Sequence, residues 1–591
     1  MRYAQYGGSG DVEGRGKLLR RAGRIGRSLA LPALGALLAT VVATAARLLG
    51  PLVVRVGLDD GVSAGDKSVV TRAALVFLGL LVFQYFAQRV SHKAVAWVGE
   101  RFLFKMRSRV YAHILNLDMP FFDRSKTGVL VSRMTSDIEA LNDFVNEGAV
   151  MALTNVLTSI GVAVAMLIVD VRLALAVFGL IAILLVLTVV FQHFAAVAYG
   201  NVRERIGRVL ATLQEGIAGV REVQAFTQHN RQAGTFGRVN ESYFDANMQA
   251  ARAISWFFPS VSFLSTAGVA LVLLIGGMRV IDGTMSFGSL VAFLMLLEWF
   301  FQPIISLAQV SNLLQASLAA LSKLFGLLDE KPIVKVRPGA FDLPGDLEGN
   351  LQIDQVSFAY DDDMTVLNGI DLEVPGGQRV AVVGQTGAGK STIAKLLMRF
   401  YDPTGGAVRI DGMDLRDLTT NSRARVVTLI PQEDFLFNGT LRVNFKYGRP
   451  DVSDDEIWAV CRAMGIDGWI RSLPDGLDTE VRERGSRFSA GERQLVALVR
   501  AFLVDPAVIV LDEATSNLDP ETELQVEEAL RVLLAGRTSV VIAHRLRSAE
   551  RADRVVFMHD GRVVGDGSHN ELIESNARYR ELVSVWERGL V

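Results

Sequence analysis

Nine consecutive residues, Gly384-Gln-Thr-Gly-Ala-Gly-Lys-Ser-Thr392, follow the apolar run Val380–Val383 and open a helix-patterned segment from Ile393 to Phe400. Strand, glycine loop and helix in that order are what phosphate binding requires. The small residues Gly384, Gly387, Ala388 and Gly389 let the loop, with Gln385 and Thr386, turn its N–H groups inward around a β-phosphate, and the helix N-terminus adds partial positive charge. Lys390 reaches the β/γ oxygens, and Ser391, beside Thr392, offers a hydroxyl to Mg²⁺. The chain is expected to bind a nucleoside triphosphate. A merely structural glycine turn is the plain alternative, and it would not need both flanks to agree.

A second apolar run, Ala507–Leu511, ends in Asp512-Glu513, which puts two carboxylates at the tip of a buried strand. Asp512 suits the Mg²⁺ shell. Glu513 suits polarising the water that attacks the γ-phosphorus, because phosphoryl transfer needs an aligned nucleophile and neutralised charge more than covalent chemistry. The plainer role for such a pair is a helix cap. His544 closes a third run, Val540–Ala543, where an imidazole can contact the γ-phosphate; taken alone, a structural histidine fits as well.

Two unlike halves must position these groups. Half of the 591 residues are hydrophobic and mean hydropathy is +0.31, an excess concentrated ahead of the phosphate loop that excludes an ordinary soluble enzyme. Apolar stretches long enough to cross the hydrocarbon layer fall at Leu29–Val56, Val70–Phe86, Val150–Val169, Leu173–Phe194, Trp256–Val280 and Phe287–Leu307, so six membrane helices are expected. Arg15, Lys17, Arg20, Arg21, Arg24 and Arg27 precede the first and keep the N-terminus in the cytoplasm; six crossings return the C-terminal half there, where ATP is. That basic segment suits an amphipathic helix on anionic lipid better than nucleic-acid binding. No cleavable signal pattern precedes the first span. The single Cys461 excludes an intrachain disulfide and a multi-cysteine metal site. The reading divides the chain into an N-terminal tail with an interfacial helix (1–28), a six-helix transmembrane domain with two intracellular loops (29–325), a linker (326–348) and an α/β phosphate-loop nucleotide-binding domain (349–591).

Two polar stretches, Ser91–Asn146 and Tyr199–Ala253, keep helical periodicity without Pro or Gly clusters, so the membrane helices are expected to continue ~25 Å or more into the cytoplasm before turning back. The turns, Asp123–Gly128 and Ala225–Asn230, should touch the nucleotide domain, with Phe226 placed to plug a groove in a partner domain; otherwise they are polar hairpins.

On Phe121-Phe-Asp-Arg-Ser-Lys-Thr-Gly128, Ser132-Arg-Met-Thr-Ser-Asp137 and the nucleotide motifs, nearly the whole chain resembles the ATP-binding cassette (ABC) exporters of the half-transporter type. The resemblance implies ATP-driven export across the cytoplasmic membrane by alternating access, with the two turns as coupling helices. It makes His544 the switch histidine and Gln432 the Q-loop residue that touches Mg²⁺ and the attacking water. Tyr360 becomes the aromatic on adenine, and Ser516-Asn-Leu-Asp519 the D-loop. Phe488-Ser-Ala-Gly-Glu-Arg-Gln494 resembles the family signature, so Ser489, Ala490, Gly491 and Glu492 would close on ATP held by the opposite subunit, and two chains are needed for two sites.

Two positions depart from the family pattern. Ala490 stands where glycine is usual, a change that costs most if the backbone needs φ > 0 or close approach to the γ-phosphate. Arg482 also replaces a usual glycine. An intact Glu513 beside an altered signature resembles the consensus-bearing half of heterodimeric multidrug-type exporters; a homodimer that tolerates Ala490 is the alternative. The expected substrate is a hydrophobic or amphiphilic compound, drug-like or lipid, and a regulatory ABC protein without transport is a further alternative. Glu298 and Gln302 on the sixth span and Arg47 on the first are intramembrane polar residues and so candidates for the substrate cavity. Glu298 suits a cationic amphiphile or a proton, and equally an arginine on a neighbouring helix.

Overall fold

The computed structural model describes residues 14–343, 347–360, 364–432, 434–512, 520–543 and 545–588. They fall into two compact units. One takes the residues up to Leu115 together with Thr127–Glu330; the other takes Asn116–Lys126 and the residues from Lys331 onward.

The first unit is helical because apolar side chains recur without break over long runs. Its main helices are Ala30–Val56, Lys67–Leu115, a run Thr127–Val169 that passes through π-helical stretches at Arg133–Asp137 and Phe144–Gly148, Val171–Ala218, His229–Ile281 and Phe287–Asp329. Among the described residues, the first five are long and apolar enough to cross a membrane, and the sixth carries the shorter apolar stretch Phe287–Pro303. The helices outrun the bilayer: Phe86 to Leu115 alone adds about 40 Å at 1.5 Å per residue. The reversal between the third and fourth spans needs little chain, because Asp170 leaves the helical region and caps the next helix. Its carboxylate accepts from the Leu173 N–H at 2.9 Å and from Arg279 at 2.6 Å. The buried side is apolar, with Val162, Met166, Leu173, Val177, Val261, Phe293 and Leu297 packed together and Phe191 stacked on Phe257 at 4.0 Å.

The basic N-terminal segment does form a helix, Arg15–Ile25, but not all of its charges face outward. Arg21 makes a bidentate pair with Asp329 at 2.7 and 2.6 Å and lies 4.3 Å over the Phe325 ring, while Leu18 is buried. The helix is thus docked on the end of the sixth span. At the second intracellular turn, after the short helix Val220–Ala225, Phe226 is 73% exposed.

The second unit holds ten described strands. These are β1 (Leu351–Ala359), β2 (Thr365–Val374), β3 (Arg379–Gly384), β4 (Gly405–Ile410), β5 (Met413–Asp414), β6 (Val427–Ile430), β7 (Val508–Asp512), β8 (Thr538–Ile542), β9 (Arg554–His559) and β10 (Arg562–Gly567). An antiparallel sheet runs β2-β1-β4-β5, and a second sheet runs β10-β9-β3-β8-β7-β6, parallel from β9 to β6. The parallel strands are the near-continuous Val/Ile/Leu runs expected when both faces are covered. A helical lobe with its own core, including Phe445, Ile457, Cys461 and Val499, is inserted between β6 and β7. Burial pushes the Cys461 thiol up to about 12, which leaves it inert.

The structure supplies a reason for the glycine that Arg482 displaces. Arg482 sits at φ 63°, ψ 179°, a region essentially reserved for glycine, and Arg484 two residues on is at φ 52°. The neighbouring Val481 is buried and its N–H is bonded to the Gly439 carbonyl at 2.8 Å, which pins the approach to the strained residue. Arg482→Gly is therefore expected to stabilise the nucleotide unit by ~1–2 kcal/mol, raising its calorimetric transition by a few degrees. An unchanged or lower midpoint would show that Arg482 is not strained.

Candidate functional site

The parallel register brings the candidate groups to one edge of the sheet. Val382 of β3 pairs with Ile542 of β8, which pairs with Asp512 of β7, while Leu511 pairs with Ile430 of β6. Asp512 therefore lies two strand spacings, about 10 Å, from the strand that feeds the phosphate loop, and Gln432 emerges just past the end of β6. Ligands bind at such carboxyl ends in open α/β sheets. Asp512 is half-buried, and Gln432 and Ser391 are exposed.

The loop after β3 has the shape its residues suggest. Gly387 and Gly389 take φ +86° and +98°, and a Cβ on Gly389 would come within 2.6 Å of the Leu367 side chain. Gln385, Thr386 and Gly387 form an exposed crest, while Gly384, Ala388, Gly389, Lys390 and Thr392 are buried. Helix Lys390–Leu397 starts there with Gly389 as N-cap, whose carbonyl accepts the N–H groups of Thr392 and Ile393 at 3.1 Å. Lys390 is only 5% exposed, and its ammonium donates to the carbonyls of Gly384 at 2.7 Å and Gln385 at 3.2 Å, inside the loop itself. A cation held at the N-terminus of a helix fits an anionic phosphate chain. Tyr360 shares a hydrogen bond with Thr392 Oγ1 at 3.1 Å and meets Phe358 and Tyr401 edge-on at 4.8 and 5.2 Å, so its ring stands against the phosphate-loop helix.

The signature segment opens helix Ala490–Val504 with Ser489 as N-cap. Ser489 Oγ accepts the Glu492 N–H at 3.2 Å, and the Glu492 carboxylate accepts the Ser489 N–H at 2.7 Å and the Trp469 indole N–H at 2.7 Å. Ala490 is the first helical residue and is not among those with positive φ. Its methyl therefore costs no backbone strain, and only close approach to a ligand is left as a reason for glycine there. Gly491 is buried beneath it. Glu513, Ser516, Asp519 and His544 lie outside the described residues.

In the helical unit, Arg47 is half-buried with its guanidinium 4.7 Å over the Trp299 ring. Glu298 and Gln302 are exposed, as are Gln309 and Asn312 further along the same helix; the four fall within about 80° of its circumference. The 298–302–309–312 spacing was readable from sequence and extends the candidate set by Gln309 and Asn312.

Comparison with known proteins adds to this geometry. The family model described as ABC transporter transmembrane region matches residues 34–304, and that described as ABC transporter matches 367–516. The chain is 33% identical over 549 residues to an uncharacterized ABC transporter ATP-binding protein of Bacillus subtilis, YknV, covering 93% of this chain and 91% of that one. It is 37% identical over 553 residues to a multidrug efflux ATP-binding/permease protein of Mycobacterium tuberculosis, covering 93% of this chain but 46% of that one. It is 33% identical over 527 residues to an ATP-dependent lipid A-core flippase of Thiobacillus denitrificans, covering 89% and 90%. The structure of a bacterial Atm1-family ABC exporter with ATP bound aligns at a TM-score of 0.75 with 27% identity, covering 94% of this chain and 98% of that one.

One residue beside Gln432 carried no sequence signal. Asp434 is partly buried, its Oδ1 has no hydrogen-bond partner among the described residues, and burial pushes its carboxyl up to about 7 against the pull of Arg500 and Arg493. Both arginines are committed elsewhere, Arg500 to the carbonyls of Asn444 and Phe435 at 2.7 Å and Arg493 to that of Phe488 at 2.7 Å. Between the ordinary value of 3.8 and about 7 the folded state holds a proton that the unfolded state has lost, so Asp434 makes stability fall as pH rises through that window. Asp434→Asn should melt higher than the parent at pH 8, by the equivalent of up to ~4 kcal/mol, and equally near pH 4. A pH-independent difference between the two would rule this out.

Proposed function

Because the chain belongs to the ABC exporters, as a half-transporter whose six-helix membrane region is fused to an ATP-hydrolysing domain, we propose that it exports a hydrophobic or amphiphilic compound as one half of a dimer with a non-identical partner. The observation that carries the ATPase role is the buried Lys390 ammonium inside a loop held open by Gly387 and Gly389, at the sheet edge where Asp512 and Gln432 also end. Lys390, the loop N–H groups from Gln385 to Thr392, and Tyr360 bind ATP. Mg²⁺, held by Ser391, Gln432 and Asp512, supplies neutralising charge for the phosphates. Glu513 orients the attacking water and His544 contacts the γ-phosphate. Ser489, Ala490, Gly491 and Glu492 act on the partner's ATP, with Ser516 and Asp519 at the same interface.

The basic residues before the first span put both termini and the nucleotide domain in the cytoplasm. A carboxylate facing hydrocarbon at mid-membrane costs several kcal/mol, so the exposed Glu298–Gln302–Gln309–Asn312 side of the sixth helix is read as facing a wet pathway or the partner. One finding favours a non-identical partner. The signature carries Ala490 and the chain's own phosphate loop is intact. The flippase relatives favour a second reading, a homodimer that turns over lipid.

Glu513→Gln should keep ATP binding and slow steady-state hydrolysis by about 10²-fold or more, trapping the nucleotide domains together. ATPase at the parental rate would refute the role given to Glu513. Native mass spectrometry of the tagged complex from its own membranes should give 64.4 kDa plus a second half-transporter of different sequence. Twice 64.4 kDa as the sole species would establish the homodimer instead.

A further inference from the structure

One carboxylate ties the hairpin between the second and third membrane helices to the helix that begins at the phosphate loop. Asp123 Oδ2 accepts from the Lys395 ammonium at 2.9 Å and from the Tyr401 hydroxyl at 2.8 Å. Lys395 lies on helix Lys390–Leu397, and its ammonium sits 5.4 Å over the ring of Tyr360 and 5.6 Å over that of Tyr401. Tyr360 in turn is bonded to Thr392. Three contacts in series, Asp123 to Lys395, Lys395 to Tyr360 and Tyr360 to Thr392, thus lead from the hairpin to the first turn of the phosphate-binding helix.

The same segment has a second anchor. Asp118 accepts the backbone N–H groups of Ile333 and Val334, the latter at 2.8 Å, and Met119 packs against the nucleotide core. Residues Asn116–Lys126 therefore belong to the nucleotide unit, while the chain on either side, ending at Leu115 and resuming at Thr127, belongs to the helical one. Burial works against the Asp123 charge, but its two donors outweigh it and hold the carboxyl below the usual carboxylate range; Lys395 is held above the usual lysine range. Both stay charged through the physiological range.

The strength of this contact decides what it is for. The side chains of Lys395 and Asp123 are 35% and 36% exposed, and an ion pair that wet adds little to stability. Phe358, Leu367, Ile393 and Leu397 hold the fold there. A contact that barely stabilises the fold, yet joins a membrane hairpin to the phosphate-loop helix, is placed to transmit movement.

We propose that Asp123 is a positioning residue for coupling: through Lys395 and Tyr401 it fixes the first intracellular hairpin to the phosphate-loop helix, so that displacement of that helix reaches the second and third membrane helices, while hydrolysis itself does not need it. The family resemblance makes this turn a coupling element; the assignment to one carboxylate and its two donors comes from these contacts and rests on reading the chain as an ATP-driven exporter.

The test uses the intact complex in proteoliposomes, with ethidium as transport probe. For Asp123→Asn, basal kcat and KM for ATP should stay within about twofold of the parent, while ethidium moved per ATP hydrolysed falls at least roughly fivefold. Tryptic cleavage after Arg124 or Lys126, suppressed by ATP with vanadate in the parent, should persist in the variant. Lys395→Met should behave alike, and the double variant should be no worse than either single, the signature of one shared contact. Tyr401→Phe, which keeps the ring in the core and removes one donor, should give an intermediate loss and so separates coupling from misfolding. An unchanged transport-to-hydrolysis ratio with ATP-dependent protection intact in Asp123→Asn, or additive losses in the double variant, overturns the proposal. Protection lost only in the variants supports it even where the parent does not carry ethidium, a result that counts solely against the substrate reading.

Discussion

Hydrocarbon offers no hydrogen-bond partner, so every backbone group within it must be satisfied by the segment that carries it, and this constraint shapes the whole chain. The six long helices run through the apolar zone without a break, past Pro51, Pro259 and Pro303, each of which leaves one carbonyl without its intrahelical donor. Reversals are confined to its edges: Asp170 achieves one with a single extended residue and a carboxylate cap. On the other side the helices run on as polar extensions, and the turns fall far along the chain from any apolar span. That distance is what allows residues 116–126 to leave the helical unit and pack with the nucleotide unit.

Within the nucleotide unit the equivalent constraint is the parallel ladder. Parallel strands need crossover helices, so their carboxyl ends gather on one edge with helix N-termini beside them. The phosphate loop, Asp512 and Gln432 are separated by many residues in the chain and by only a few strand spacings in space. The loop's conformation follows from missing side chains, since Gly389 has no room for a Cβ beside Leu367. The lysine it encloses is buried because its own loop carbonyls solvate it.

Substitutions at glycine positions have opposite meanings depending on local backbone. Ala490 begins a helix whose cap is completed by Ser489, Glu492 and Trp469, so an extra methyl is conformationally free. Arg482 occupies a conformation that side chains avoid, and the cost is carried in the native state. Both changes look alike as letters, and only φ separates them.

The sequence by itself determined what depends on local pattern: the long helices and their polar continuations, the phosphate loop between strand and helix, and Asp512 at the end of β7. Each is written in contiguous residues whose periodicity or spacing has one physical solution, and Leu29–Val56 differs from the observed Ala30–Val56 by a single residue. The structure decided what depends on residues far apart in the chain. Arg21 was read as a charge for lipid and pairs with Asp329. Asp123 was one member of a polar turn and meets Lys395 and Tyr401, more than 270 residues away. Asp434 gave no signal because its burial is made by neighbours from other elements. Side-chain partners across such separations are set by packing, and no local pattern encodes them.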